Sequence, residues 1–242
     1  MAEPTRPRAW RNTYWLLRHG RSTANERDLI VSHLANGEQP EWGLTEEGRA
    51  QAAAAGEQLR ALLAAANGST GSVNGGGSEA NASSRNGGGS GKNGAAPGGG
   101  HGAGTLLFLA SPFSRALETA HGASKALGTS HGTPQLQVEH ALRERNFGDY
   151  EMTSCSNYEK VWEEDAKSTA IRPSGEGGES VDDVAARTLG LLQRLEAQHA
   201  GQHIVLMSHG DALSILAAAA LGTPLGQHRQ HGLPNCGIMR IG

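Results

Sequence analysis

His203-Ile204-Val205-Leu206-Met207-Ser208-His209-Gly210-Asp211 changes character abruptly within nine residues. Ile204 to Met207 form an uninterrupted apolar run, short enough for a strand buried on both faces. The run ends in Ser208, His209 and Gly210. An alanine- and leucine-rich stretch from Asp211 to about Leu221 then reads as a helix. On the N-terminal side, Ser180 and Asp183 stand at the spacing of a capping box. Val181, Val184, Ala185, Thr188, Leu191, Leu192 and Leu195 follow at helical spacing and predict a helix from Ser180 to about Ala197. Helix, buried strand and helix in succession are the building pattern of an α/β fold.

Working outward, the same alternation recurs. Tyr14 to Leu17 is a short apolar run that ends at Arg18-His19. Thr45 can cap a helix whose first turn holds Glu46 and Glu47, where the helix dipole favours anions, and which runs to about Ala66. Thr105 to Ala110 reads as a buried strand, and Ser111-Pro112 opens a helix through about Leu127. Leu136 to Val138 and Cys236 to Ile241 are further strand candidates. The expected architecture is an α/β three-layer sandwich, a mostly parallel central sheet flanked by helices.

From 67 to 104 the composition collapses to glycine, serine, asparagine and alanine, which accounts for much of the 35 glycines and the low hydrophobic fraction of 37%. Such a segment buries too little apolar surface to offset the entropy of ordering it, so a disordered insertion is expected. Gly89-Ser90-Gly91-Lys92 within it is not a phosphate loop, because Asn86 and Asn93 replace required residues and no strand precedes it. Asn67-Gly68-Ser69 and Asn81-Ala82-Ser83 fit a glycosylation pattern that matters only in secreted proteins. Without the insertion about 200 residues remain, so 1–242 reads as one domain. Lying between a helix and the start of a strand, the insertion is expected at the sheet edge away from the strand ends.

A net charge of −3 argues against a nucleic-acid binder driven by overall charge. Two cysteines, Cys155 and Cys236, make no disulfide scaffold. No stretch reaches the length of a membrane span. Arg6, Arg8 and Arg11 have no apolar core behind them, so no secretory signal is expected, and a first strand near Thr13 leaves little room for a transit peptide. A soluble, cytoplasmic protein is the expectation. His228 and His231 are too few for a closed zinc site. Trp10, Trp15, Trp42 and Trp162 read as packing residues; Trp42 is the one placed to line a pocket, in the loop from about Asp28 to Gly43.

Three apolar strands end in reactive residues: Arg18-His19, Ser111 just before Arg115, and Ser208-His209-Gly210. In open α/β sheets ligands bind at the carboxyl ends of strands, so the fold can gather two histidines and two arginines there. Arginine presents always-charged planar donors that match phosphate oxygens. Neutral imidazole is a nucleophile near pH 7, and a phosphohistidine splits one hard displacement into two. Two arginines could supply the positive charge that metal ions supply elsewhere.

Leu17-Arg18-His19-Gly20-Arg21-Ser22-Thr23-Ala24-Asn25 resembles the R-H-G-x-S-x-x-N signature of the histidine phosphatase superfamily, the group of the cofactor-dependent phosphoglycerate mutases and their phosphatase relatives. Ser111 to Ala120, Leu142 to Glu151, Gly178-Glu179-Ser180 and Ser208-His209-Gly210 resemble its further motifs, in order. The resemblance implies a phosphoglycerate mutase-like fold, with His19 as the phosphorylated nucleophile. It implies that Arg18, Arg115 and His209 bind the phosphoryl group, and that Glu144 protonates the leaving oxygen and later activates water. Asn25 and Ser22 are implied as supporting contacts to phosphate or to the His19 loop. No cofactor and no metal are implied. Met152 departs from the pattern, standing where a glycine often follows Glu151.

Mutases of the family are implied to carry extra segments that close over phosphoglycerate and exclude water, which protects a phosphohistidine from hydrolysis. Here about 25 residues separate Tyr150 from Gly175 and lack the basic residues expected for clamping a carboxylate. The expected activity is therefore a metal-independent phosphatase hydrolysing phosphomonoesters through a phosphohistidine, on a small phosphorylated substrate and with no nucleic-acid or membrane partner. The alternatives are a cofactor-dependent phosphoglycerate mutase and, from another class, a non-catalytic binding module that recruits partners through the insertion. Oligomeric state is not legible.

Overall fold

A computed structural model describes residues 10–68, 106–128 and 135–242. The expected insertion lies outside the described residues, apart from Asn67 and Gly68, which close a helix.

Five strands form one sheet in the order β3-β2-β4-β1-β5. They are β1 (Thr13–Arg18), β2 (Leu106–Ala110), β3 (Gln135–Val138), β4 (His203–Ser208) and β5 (Ile238–Ile241). All neighbours are parallel except β5, which runs antiparallel along β1. The helices are α1 (Thr23–Glu26), α2 (Leu34–Gly37), α3 (Glu46–Gly68), α4 (Ser114–Leu127), α5 (Asn157–Lys167), α6 (Val181–Gln198) and α7 (Gly210–Leu221).

The strand period of two sorts side chains into two cores. Trp15, Leu17, Val205 and Met207 pack against Ala52, Leu59 and Leu63 of α3 and Ala116, Ala120 and Ala123 of α4. Tyr14, Leu16, Ile204 and Leu206 pack against Leu191, Leu192 and Leu195 of α6 and Leu213, Leu216 and Ala217 of α7. Both faces are covered, which is why these strands read as unbroken apolar runs. Each fully buried leucine contributes about 1.5–3 kcal/mol. Close approach of α3 to α4 depends on Gly56, where an added Cβ would stand 2.2 Å from the Ala123 carbonyl oxygen.

The three-layer sandwich and the helix expected after Ser180 are present. That helix carries the full capping box: Ser180 Oγ accepts from the Asp183 N–H while the Asp183 carboxylate accepts from the Ser180 N–H. Two boundaries shift for local reasons. The helix after β2 begins at Ser114 rather than Ser111, because Pro112 disfavours helical backbone at the residue before it. The last strand begins at Ile238 rather than Cys236, because Cys236 turns through a positive φ of 55° and cannot continue a ladder. Among the described residues no helix is long and apolar enough to cross a membrane.

Candidate active site

The carboxyl ends of the three central strands lie side by side, as the order β2-β4-β1 requires. The His19 N–H donates to the Ser208 carbonyl at 3.0 Å, and the Ser111 N–H donates to the Met207 carbonyl at 2.9 Å. These bonds extend the ladders past the strands and bring His19, Ser111 and His209 together. The rings of His19 and His209 are 5.1 Å apart between centroids.

His19 is buried, and its Nδ1 lies 2.7 Å from the Gly20 carbonyl oxygen. A carbonyl only accepts, so the proton sits on Nδ1 and the lone pair on Nε2. Arg115 Nε donates to that lone pair at 3.2 Å. Burial first, then the charges of Arg115 and Arg18, push the His19 pKa well below its ordinary value. The imidazole is therefore neutral, with its nucleophilic nitrogen fixed in direction. The same causes, led by burial and Arg115, keep His209 neutral. Its Nε2 pairs with Ser111 Oγ at 2.8 Å.

Arg18 comes from the end of β1, and its Nη1 donates to the Leu233 carbonyl at 2.6 Å. Arg115 sits in the first turn of α4, and its Nη2 donates to the Val31 carbonyl at 2.9 Å. Three buried polar atoms around His19 find no partner among the described residues: Arg18 Nε, Arg115 Nη1 and His209 Nδ1. A buried unpaired polar group costs about 1–3 kcal/mol, so three in one place mark a seat for an anion rich in acceptors.

Glu144 is buried at the same cavity. Its Oε1 accepts from the Arg145 N–H at 2.9 Å and the Ala212 N–H at 3.2 Å. Desolvation, and then the nearby Asp211 carboxylate, push its pKa up. With Oε1 taken by two N–H donors, the proton of the neutral acid belongs on Oε2. Glu144 is steadied from behind, because Glu179 accepts from the Asn146 N–H at 3.1 Å and pairs with Arg187, whose Nη2 donates to the Glu144 carbonyl at 3.2 Å.

Ser22 and Asn25 both line the cavity and cap α1 reciprocally. Asn235 Nδ2 donates to the His19 carbonyl at 3.0 Å and to Asn25 Oδ1 at 3.4 Å, so this pair braces the His19 loop. All seven residues expected from the sequence thus meet in one region, six of them lining the cavity and His209 not among the lining residues.

The Asp28–Gly43 loop lines the cavity through Leu29 and Val31, but Trp42 does not. Trp42 packs inward against Ala24 and Val31, since its position in the turn after Pro40 points it at the core. Trp162 is the tryptophan on the wall, stacked on Tyr158 at 5.4 Å. This corrects the choice between the two rings. Glu151 ties the loop in place, accepting from Ser32 N (2.7 Å), Ser32 Oγ (2.6 Å), His33 N (3.0 Å) and Asn36 Nδ2 (2.9 Å). Met152 follows at φ 59°, a left-handed conformation that glycine adopts without strain. The departure from the family pattern therefore changes the side chain and leaves the backbone path glycine-like.

Asp165, Asp211 and His228, of which Asp211 also lines the cavity, hold candidate ligand atoms within 4.8 Å of one another. Arg145 already answers their charge: it donates to both Asp165 oxygens at 2.6 and 2.8 Å and to Asp211 at 3.4 Å. His228 pairs with Ser214 Oγ and His231 with Thr223 Oγ1. Nothing in the sequence pattern singled out Asp211, Tyr158, Trp162 or Arg229 as cavity residues.

Residues 102–242 match the model of the histidine phosphatase superfamily (branch 1). A glucosyl-3-phosphoglycerate phosphatase of Mycolicibacterium vanbaalenii is 34% identical over 134 residues, which cover 50% of this chain and 55% of that protein. A probable phosphoglycerate mutase GpmB of Photorhabdus laumondii is 30% identical over 138 residues, covering 55% and 61%. The chain thus spans little more than half the length of these curated relatives. A mycobacterial glucosyl-3-phosphoglycerate phosphatase solved with VO3 superposes with a TM-score of 0.64 at 24% identity, over 95% of this chain and 90% of the other, and so shares the fold. With the match covering more than half of its length, the chain belongs to the histidine phosphatase superfamily, branch 1.

Proposed function

We propose that the chain hydrolyses phosphomonoesters without a metal, through a phosphohistidine on His19. The observation that carries this reading is the cluster of three unpartnered buried polar atoms around a neutral imidazole whose Nε2 lone pair is directed. A phosphoryl group entering there meets Arg18 and Arg115, and its oxygens satisfy their open donors, with the His209 ring 5.1 Å from that of His19. His19 Nε2 then attacks phosphorus while the bond to the leaving oxygen breaks and Glu144 gives that oxygen its proton. The Glu144 carboxylate next takes a proton from water as the water oxygen attacks phosphorus. The P–N bond breaks, and neutral His19 and inorganic phosphate are restored. Arg18 and Arg115 neutralise the equatorial oxygens throughout, which is the main demand of phosphoryl transfer.

The printed names of the relatives include both a phosphatase and a probable mutase. We favour hydrolysis because, of the segment between Tyr150 and Gly175, only Tyr158 and Trp162 line the cavity around His19, while its Lys160 and Arg172 line a separate, smaller cavity. The reading extends to one catalytic domain acting in the cytoplasm on a small phosphorylated substrate, in keeping with free Cys155 and Cys236. The expected result with purified chain is phosphate release from phosphomonoesters, unaffected by chelators and blocked by vanadate. Offered 3-phosphoglycerate with 2,3-bisphosphoglycerate, it should release phosphate; dominant formation of 2-phosphoglycerate would replace hydrolysis by the mutase reading. A binding module would form no acid-labile phosphohistidine.

A pH prediction follows from the acid. Burial and the Asp211 charge both hold Glu144 protonated above the usual carboxylate range. Asp211→Asn removes the second cause, so the Glu144 pKa falls and the acid form is lost at lower pH. The alkaline limb of the kcat/KM profile should shift to lower pH in this variant. An unmoved limb would show that Asp211 does not tune the acid.

A further inference from the structure

The cavity around His19 measures about 430 Å³, which leaves room for a water molecule beside a phosphoryl group. In the second half of the proposed reaction that water gives one proton to Glu144 and keeps the other. The kept O–H stays on the oxygen that joins phosphorus, and inside a cavity it needs an acceptor of its own. The guanidinium groups of Arg18, Arg115 and Arg229 on the wall are donors only. Among the described residues, the lining side chains that carry oxygen are Ser22, Asn25, Glu144, Tyr158 and Asp211.

Most of these oxygens are engaged. Asn25 Oδ1 accepts from the Ser22 N–H at 3.1 Å, from Ser22 Oγ at 3.0 Å and from Asn235 Nδ2 at 3.4 Å. Ser22 Oγ, its proton given to Asn25, accepts from the Asn25 N–H at 3.3 Å. Both Asp211 oxygens accept from Trp162 Nε1 at 3.1 Å, and Oδ2 also accepts from Arg145 Nη1 at 3.4 Å. Glu144 is the group that takes the first proton. Tyr158 remains, and its hydroxyl makes no hydrogen bond among the described residues. Its ring is fixed, stacked on Trp162 at 5.4 Å between centroids and edge-on to Phe147 at 4.9 Å. Trp162 is held in turn by Asp211 and by the Arg229 guanidinium, whose Cζ lies 3.4 Å from the ring centre. The Tyr158 oxygen is close enough to Glu144 and Arg115 for their charges to act on it. Burial first, then the Glu144 charge, push its pKa well above the ordinary value, so the phenol keeps its proton and is no base. A hydroxyl on so fixed a ring loses little entropy when it takes a hydrogen bond.

We propose that Tyr158 is a further catalytic residue of the hydrolytic step, its hydroxyl oxygen accepting the second O–H of the attacking water while Glu144 takes the first proton. The O–P bond forms and the P–N bond to His19 breaks. One proton passes to Glu144, the other stays on the new phosphate oxygen, and Tyr158 neither gains nor loses one. This rests on the phosphatase reading above. An alcohol has a single O–H, whose proton goes to Glu144, so transfer to an alcohol makes no use of Tyr158. The wall thus selects water over an alcohol as the acceptor of the phosphoryl group.

The test offers the phosphoenzyme a choice of acceptors. The full chain is supplied with p-nitrophenyl phosphate in buffer containing methanol, and methyl phosphate and inorganic phosphate are measured together. Tyr158→Phe keeps the ring and its stacks and removes the oxygen. In this variant the ratio of methyl phosphate to inorganic phosphate should rise by about tenfold, the scale of one lost hydrogen bond in a buried site. Both products come from the same phosphoenzyme, so the ratio does not depend on how much of the variant folds. A merely structural role would slow both transfers together and leave the ratio unchanged. An unchanged ratio overturns the proposal, while continued phosphate release leaves the phosphatase reading standing. If the parent chain makes no methyl phosphate, the decay of labelled phosphohistidine after an unlabelled chase decides: slower decay in Tyr158→Phe supports the proposal and equal decay overturns it. If the parent chain forms no acid-labile phosphohistidine, the phosphatase reading fails and the role of Tyr158 fails with it.

Discussion

Replacing His19 by alanine should lower kcat by at least about 10⁴-fold, the scale seen when a covalent nucleophile is removed. No other side chain among the described residues can substitute. His209, whose ring lies 5.1 Å from that of His19, spends Nε2 on Ser111 and does not line the cavity. The imidazole of His19 is tied only to the Gly20 carbonyl and to Arg115, so its removal leaves the two cores untouched and the fold should persist. The measurement is phosphate release together with acid-labile phosphoprotein after a brief exposure to labelled substrate. Both should vanish while thermal unfolding stays cooperative. Retained turnover would remove His19 from the nucleophile's role.

The second large effect is on stability. Arg145 has no exposed surface and holds Asp165 with two bonds, Asp211 with a third and the Glu179 carbonyl with a fourth, at 2.8 Å. Burial alone would raise the Asp165 pKa, but the bonds from Arg145, with His228 Nε2 3.6 Å away, outweigh it and hold the carboxyl below its ordinary value. A depressed carboxyl contributes stability that is present above its unfolded pKa of about 3.9 and is lost as pH falls through the folded value. Arg145→Met leaves two buried carboxylates without their cation, a change that should cost about 3–5 kcal/mol. Denaturant unfolding near neutral pH checks the loss. The double variant Arg145→Met with Asp165→Leu should recover part of it, because it removes one of the two unpaired charges and leaves Asp211 with Trp162 and Arg229 beside it. If Arg145→Met unfolds at the parent's denaturant concentration, the network adds nothing to stability.

The two predictions divide along the line between chain and fold. His19 was legible because a strand's apolar run stops on it, and strand ends in a parallel sheet face one edge. Arg115 and His209 were legible for the same reason. Glu144 was not, since Arg143-Glu144-Arg145-Asn146 has the composition of a solvated loop and only the family resemblance pointed to it. Arg145 had no signal at all, and a buried arginine looks the same in sequence as an exposed one. Trp42 and Trp162 were indistinguishable as letters; which ring reaches the cavity depends on how the turn after Pro40 and helix α5 pack.

What the amino-acid sequence determined by itself is the alternation of strands and helices, the two-faced burial of the central strands, and the identity of the groups at their ends. Those features rest on local periodicity, which a single segment carries. What only the tertiary structure decided is the state and setting of those groups. The neutral state of His19, the raised acid Glu144, the ion pairs of Arg145 and the stack of Arg229 on Trp162 all depend on partners from distant segments. Charge, burial and donor geometry are properties of such pairings, so they come into being only when the chain closes on itself.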